Sequence, residues 1–82
     1  MTEEFRRMLD DVSQRRGLNR RELGLKLEGA GYPCGRMAIE RISAGERLEE
    51  PPRFLWAIKG VLSLSEAEVK ELLYTYYIGK HH

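Results

Sequence analysis

The sequence predicts an all-α fold, a compact bundle of five short helices, on three observations. Apolar residues recur at i, i+3, i+4 and i+7 in successive segments, the spacing that gathers them on one helix face. Capping residues stand where those segments begin. No segment sustains the period-two alternation of a strand, so no sheet is expected.

The first helix is expected from about Thr2 or Glu3 to about Arg16. Phe5, Met8, Leu9 and Val12 share one face, acidic Glu3 and Glu4 open it, basic Arg15 and Arg16 close it, and Gly17 supplies the stop. The second begins after Asn19, with Glu22 placed as the partner in a capping box. Leu23, Leu27 and Ala30 point inward, Gly29 and Gly31 weaken its end, and Tyr32-Pro33 closes it. The third runs from near Gly35 to near Ala44, with Gly45 beyond it. Ala38, Ile39 and Ile42 form its inner side, and Arg36, Met37, Glu40 and Arg41 its outer side. Residues 46–51 read as a charged loop. The fourth helix opens with Pro52 at its first position and carries Leu55, Ile58, Val61 and Leu62 at core spacing. Ser63-Leu64 breaks it, and Ser65-Glu66-Ala67-Glu68 is a second capping box that launches a fifth helix through Val69, Leu72, Leu73 and Tyr76.

Eighty-two residues support one domain, residues 1–82, because two cores would each bury too little apolar surface. The 41% apolar and 33% charged fractions are those of a globular chain rather than a disordered one. One cysteine, Cys34, excludes an intrachain disulfide and fits a reduced, cytoplasmic setting. The opening Met1-Thr2-Glu3-Glu4-Phe5 lacks the layout of a signal peptide, and no apolar run is long enough to span a membrane. Terminal His81 and His82 are assigned no function. A net charge of +1 does not by itself point to nucleic acid, but Arg15, Arg16, Arg20 and Arg21 concentrate positive charge at one bend of the chain.

The informative stretch has two halves. The first reads Gly17-Leu18-Asn19-Arg20-Arg21-Glu22-Leu23-Gly24-Leu25-Lys26-Leu27. The second reads Ile39-Glu40-Arg41-Ile42-Ser43-Ala44-Gly45, followed by Glu46-Arg47. Together they resemble the Cro and lambda-repressor type of helix-turn-helix, the XRE family. Leu55, Ile58, Val61, Leu62 and Leu64, then Ser65-Glu66, extend the resemblance over nearly the whole chain. Two features depart from the family pattern. The connection between the two central helices is longer, filled by Glu28-Gly29-Ala30-Gly31-Tyr32-Pro33, and Gly35 and Ala38 stand where the family commonly has serine or threonine. The resemblance implies a lambda-repressor-like bundle with its helix-turn-helix core at about 19–45. It also implies a sequence-specific transcriptional regulator that binds double-stranded DNA as a homodimer.

The physical requirements agree with it. A helix that enters the major groove needs a small apolar face to dock it and long polar side chains to reach base edges. Ala38, Ile39 and Ile42 supply the first, and Arg36, Met37, Glu40 and Arg41 are the candidate base contacts. Arginine reaches guanine N7 and O6, and a glutamate accepts from cytosine N4. Asn19, Arg20, Arg21 and Arg47 are the candidate phosphate contacts, the first two at a helix N-terminus. Plainer roles stand beside these. The Arg15 to Arg21 cluster equally suits a helix end and a solvated turn, and Glu40 equally suits a pair with Arg36 four residues before it. Cys34 is expected as a small buried hydrophobe. Trp56, Tyr74, Tyr76 and Tyr77 are expected in the core and at an interface.

The fifth helix and its tail are apolar on more than one face, which marks Leu73, Tyr74, Tyr77 and Ile78 as a candidate dimer interface. The alternative is a tail folded back over the first helix. No phosphate loop, nucleophile elbow or metal-spaced Cys/His set is present, so no catalytic residue, metal or cofactor is assigned, and no small-molecule effector is evident. The rival to a DNA-binding protein is a protein-interaction module, antitoxin-like or regulator-binding, on the same helical scaffold.

Overall fold

Capping chemistry sets where the helices begin. The structure, a computed structural model, describes residues 3–78. Its helices are α1 (Glu3–Gln14), α2 (Arg20–Gly29), α3 (Gly35–Ser43), α4 (Pro51–Leu62) and α5 (Glu66–Tyr77), and among the described residues there is no strand. Both expected capping boxes form: Asn19 and Ser65 each accept from the backbone N–H three residues on, while Glu22 and Glu68 return a carboxylate to the cap N–H. The α4 start lies one residue earlier than expected, with Pro51 and Pro52 in its first two positions, where no N–H is needed. Thr2, His81 and His82 lie outside the described residues.

One apolar core joins all five helices. Phe5, Leu9 and Val12 meet Leu23 and Leu27, then Ile39 and Ile42, Phe54 and Ile58, and finally Leu72 and Tyr76. Phe5 and Tyr76 pack edge to face at 5.0 Å between ring centres, which seats α5 on α1. A radius of gyration of 11.5 Å matches the roughly 12 Å of a compact chain this long, so the bundle is closed rather than splayed.

Four expectations are corrected. α1 ends at Gln14 rather than Arg16, because the N–H groups of Arg16 and Gly17 turn to the carbonyls three residues back and tighten the chain out of the helix. Ala30 is exposed, since the chain leaves α2 there and Gly31 turns away at φ +96°. Cys34 is exposed rather than buried: it caps α3 in the left-handed region at φ 59°, so Gly35 takes the inward position instead. Trp56 is 73% exposed, on the outer side of α4 away from Leu55 and Ile58. Within the 46–51 loop, Leu48 is buried, and its N–H donates to the Tyr76 hydroxyl at 3.1 Å, which ties the loop to α5.

The packing of α2 on α3 explains one departure from the family pattern. A Cβ on Gly35 would stand 2.7 Å from the Gly24 carbonyl oxygen and 2.8 Å from Leu27 Cβ, so the helices cross where only glycine fits. Ala38 is buried as well. A serine or threonine at either position would place its hydroxyl against α2 or the core, not toward an external partner. Among the described residues no helix is long and apolar enough to cross a membrane.

Candidate nucleic-acid interface

α2 and α3 carry most of the side chains assigned to DNA, and the structure divides them into two groups. Arg20, Arg21, Arg36 and Glu40 line one groove of about 550 Å³ with an apolar floor at Ile39 and Ala44. Met37 and Arg41 line a separate cavity of about 270 Å³, bordered by Tyr32, Leu48, Glu49 and Arg53. Asn19 and Arg47 line neither. Met37 is 54% exposed, and Glu40 and Arg47 are exposed without an ion pair among the described residues.

Several of the cations are engaged within the chain. Arg20 donates through Nε and Nη2 to both oxygens of Asp10, at 2.8 and 2.6 Å, and through Nη1 to the Ser43 hydroxyl at 2.9 Å. This fork joins α1, α2 and α3, and the hydrogen bond to Asp10 holds the guanidinium more firmly protonated than usual. Arg36 pairs with Glu28, not with Glu40. Glu28 accepts from the Arg36 backbone N–H at 3.0 Å and from its Nε at 3.1 Å. The backbone bond is the larger cause that pulls the Glu28 carboxyl below its ordinary range, ahead of the side-chain bond. Cys34 provides no side-chain cap, so Glu28 fills one of the open N–H positions of α3 from the neighbouring helix. Arg41 reaches Glu49 at 3.4 Å, a loose exposed pair worth little.

The arginine cluster at the α1–α2 bend is not one surface. Arg15 pairs with Asp11, and Arg16 turns back onto the carbonyls of Val12 and Leu62 and onto Glu68 at 3.0 Å. Arg16 therefore locks the α4–α5 joint to α1, the plainer of its two roles. Asn19 spends its side-chain oxygen on the Glu22 N–H at 2.8 Å. Arg21 is the member of the cluster that stays exposed without an ion pair among the described residues. The acidic partners Asp10, Glu28 and Glu49 lay outside sequence reasoning, because each sits eight to ten positions from its arginine, where helical periodicity gives no signal.

On α5, Tyr74, Tyr77 and Ile78 are each about half exposed, whereas Leu73 packs partly against the core. The fifth helix does lie on α1 through Tyr76. Tyr77 packs edge to face on Tyr76 at 5.1 Å and Tyr74 lines a groove with Met8 and Asp11 of α1, yet both rings and Ile78 keep about half their surface exposed. Among the described residues no group of three His, Cys, Asp or Glu side chains is placed to hold a metal ion. Comparison with protein-family models, with curated proteins and with solved structures finds no match to the chain.

Proposed function

We propose that the chain is a sequence-specific DNA-binding regulator of the lambda-repressor-like helix-turn-helix kind, with α3 entering the major groove and no catalytic role. The observation that carries this is the Arg36–Glu28 arrangement at the start of α3. Glu28 engages the Arg36 backbone N–H and Nε, which leaves both Nη groups for an outside partner. A guanidinium held at Nε and free at its fork suits the paired O6 and N7 acceptors of guanine. Glu40 lies one turn further along the same groove, and Met37 and Arg41 continue the outer face of α3. Arg21 and Arg47, exposed and without an ion pair among the described residues, supply the phosphate contacts beside it, while Arg20 is committed to Asp10 and Ser43 and Asn19 to its cap. Two copies paired through Tyr74, Tyr77 and Ile78, with Leu73 beneath them, would supply the two recognition helices that half-sites about 34 Å apart on one side of the duplex require.

A specific observation favours the rival reading, a protein-interaction module. Arg20, Arg36 and Arg41 all have intramolecular carboxylate partners, which lowers the positive field this face presents. Selection from a random pool of double-stranded DNA, followed by a salt titration on the enriched sequence, separates the two. A regulator enriches a defined site and shows log–log salt dependence with a slope of about −2 per copy for the two phosphates that Arg21 and Arg47 would neutralise. On that site Arg36→Ala weakens binding by about 1–3 kcal/mol and relaxes preference at one base position. Absence of enrichment, with weak binding that salt does not change, would overturn the DNA-binding reading and leave the interaction module as the one to test.

A further inference from the structure

Trp56 is the chain's single tryptophan and, among the described residues, the most exposed large apolar side chain, at 73%. It stands at the edge of a groove of about 380 Å³ between the outer side of α4 and the connection from α2 to α3, walled by Tyr32 and floored by Gly31, Gly60 and Val61. A Cβ on Gly60 or Gly31 would meet nothing within 4 Å, so the groove is open where a visiting side chain would enter. Arg53 lies on its rim, and the Lys59 ammonium sits 5.0 Å from the centre of the Trp56 ring. No carboxylate lines the groove, and among the described residues neither Arg53 nor Lys59 forms an ion pair. Arg53 also borders the cavity that holds Glu49 and Glu50 without pairing to either.

We propose that this groove is a docking site for an acidic peptide segment of a partner protein, with one large apolar residue seated beside Trp56. An exposed tryptophan and arginine with a half-buried tyrosine around a small hollow have the composition of binding hot spots. The groove's own lining carries one cation, Arg53, and no carboxylate, and Lys59 adds a second cation beside the Trp56 ring, so the complementary segment is anionic around an apolar anchor. A second copy fits less well, because a two-fold pairing would set like cations against each other. A nucleic-acid strand fits less well too, since Trp56 is the one well-exposed ring at the groove and Tyr32 is already packed on Phe54, which is not the run of free aromatics on which successive bases stack. None of the residues proposed to meet DNA lines the groove, so this site stands or falls independently of DNA binding.

The test uses the full chain without DNA and a short synthetic peptide of aspartate and glutamate around a central Leu-Phe pair, with Trp56 fluorescence as the readout. The expected result is a saturable emission shift whose affinity weakens as salt rises. It should fall at least about tenfold in the double variant Arg53→Glu, Lys59→Glu, and be lost when the Leu-Phe pair becomes serine. Far-UV circular dichroism confirms that the variants stay folded, as substitution of exposed side chains permits. Equal binding of a lysine-based counterpart, tighter binding of a thymidine oligomer, or no saturable shift would overturn the proposal. So would a dimer in sedimentation that Trp56→Ser abolishes, which would assign the face to a second copy.

Discussion

Gly35→Ala offers the sharpest check on how α2 meets α3. The added Cβ would stand 2.7 Å from the Gly24 carbonyl oxygen and 2.8 Å from Leu27 Cβ. Carbon atoms pack favourably at about 3.5–4.0 Å, so the two helices must separate by roughly 0.7–1 Å. Neither neighbour can yield by swinging the end of a side chain: one is backbone, and the other belongs to a leucine with no exposed surface. Overpacking of this kind costs about 1–3 kcal/mol, offset by at most about 1 kcal/mol from alanine's better helix propensity. The net is a loss of between about zero and 3 kcal/mol, and its middle range of about 1–2 kcal/mol lowers Tm by roughly 4–16 °C in a domain of this size. Gly60→Ala, inside α4 where the new methyl meets nothing within 4 Å, is the control and should gain about 0.5–1 kcal/mol. Thermal and urea melts of the two variants should therefore move in opposite directions. If Gly35→Ala melts above the parent while Gly60→Ala rises, the close approach of α2 and α3 is refuted.

Leu23→Ala and Ile39→Ala each remove a buried side chain from the same junction and should cost about 2–5 kcal/mol, read as a loss of urea midpoint; unchanged midpoints for both would contradict the pairing of α2 with α3. The Glu68 carboxyl is held below its ordinary value of 4.5, first by the Ser65 backbone N–H and further by Arg16, so its charge stabilises the fold above that value and the benefit disappears as pH falls through the lowered pKa. Glu68→Gln should accordingly lower Tm at pH 7, and the gap to the parent should close as pH falls through the lowered pKa in a pH series of melts. Replacing Tyr74 and Tyr77 together by serine should leave the fold intact and abolish self-association in sedimentation at micromolar concentration; a parent that is strictly monomeric on and off DNA refutes the α5 interface.

Helix content was legible because local rules govern it. The Asn19–Glu22 and Ser65–Glu68 boxes are contiguous signals, and Phe5, Leu9, Val12, Ile39 and Ile42 follow the 3.6-residue period that the core requires. What escaped depends on distance in sequence. Leu48 is a lone apolar residue among charges, and only the folded core gives its side chain neighbours, while its backbone N–H finds the Tyr76 hydroxyl. Cys34 and Gly35 exchange roles because the chain enters α3 through a left-handed residue, a backbone choice that side-chain pattern does not announce. The candidate site was half legible: the outer face of α3 follows from periodicity, but the carboxylates set against its arginines come from α2 and the α3–α4 loop.

Those carboxylates change what the +1 net charge means for the proposed function. Non-specific affinity for DNA rises with the number of phosphates neutralised, so every cation already paired within the chain lowers it. Base recognition is affected differently, because it depends on how well a side chain is aimed rather than on total charge. Glu28 removes field from Arg36 and at the same time fixes its Nε and backbone N–H. The pair should thus weaken attraction to arbitrary DNA while reducing the rotamer freedom lost on meeting a guanine. Glu28→Gln keeps an oxygen acceptor and deletes the charge, so it separates the two effects. On the proposed function it should raise affinity for arbitrary duplex several-fold, steepen the salt slope by up to about one, and narrow the ratio between the selected site and arbitrary sequence. Measuring both affinities on one salt series checks this, and an unchanged ratio would leave Glu28 as nothing more than a cap for α3.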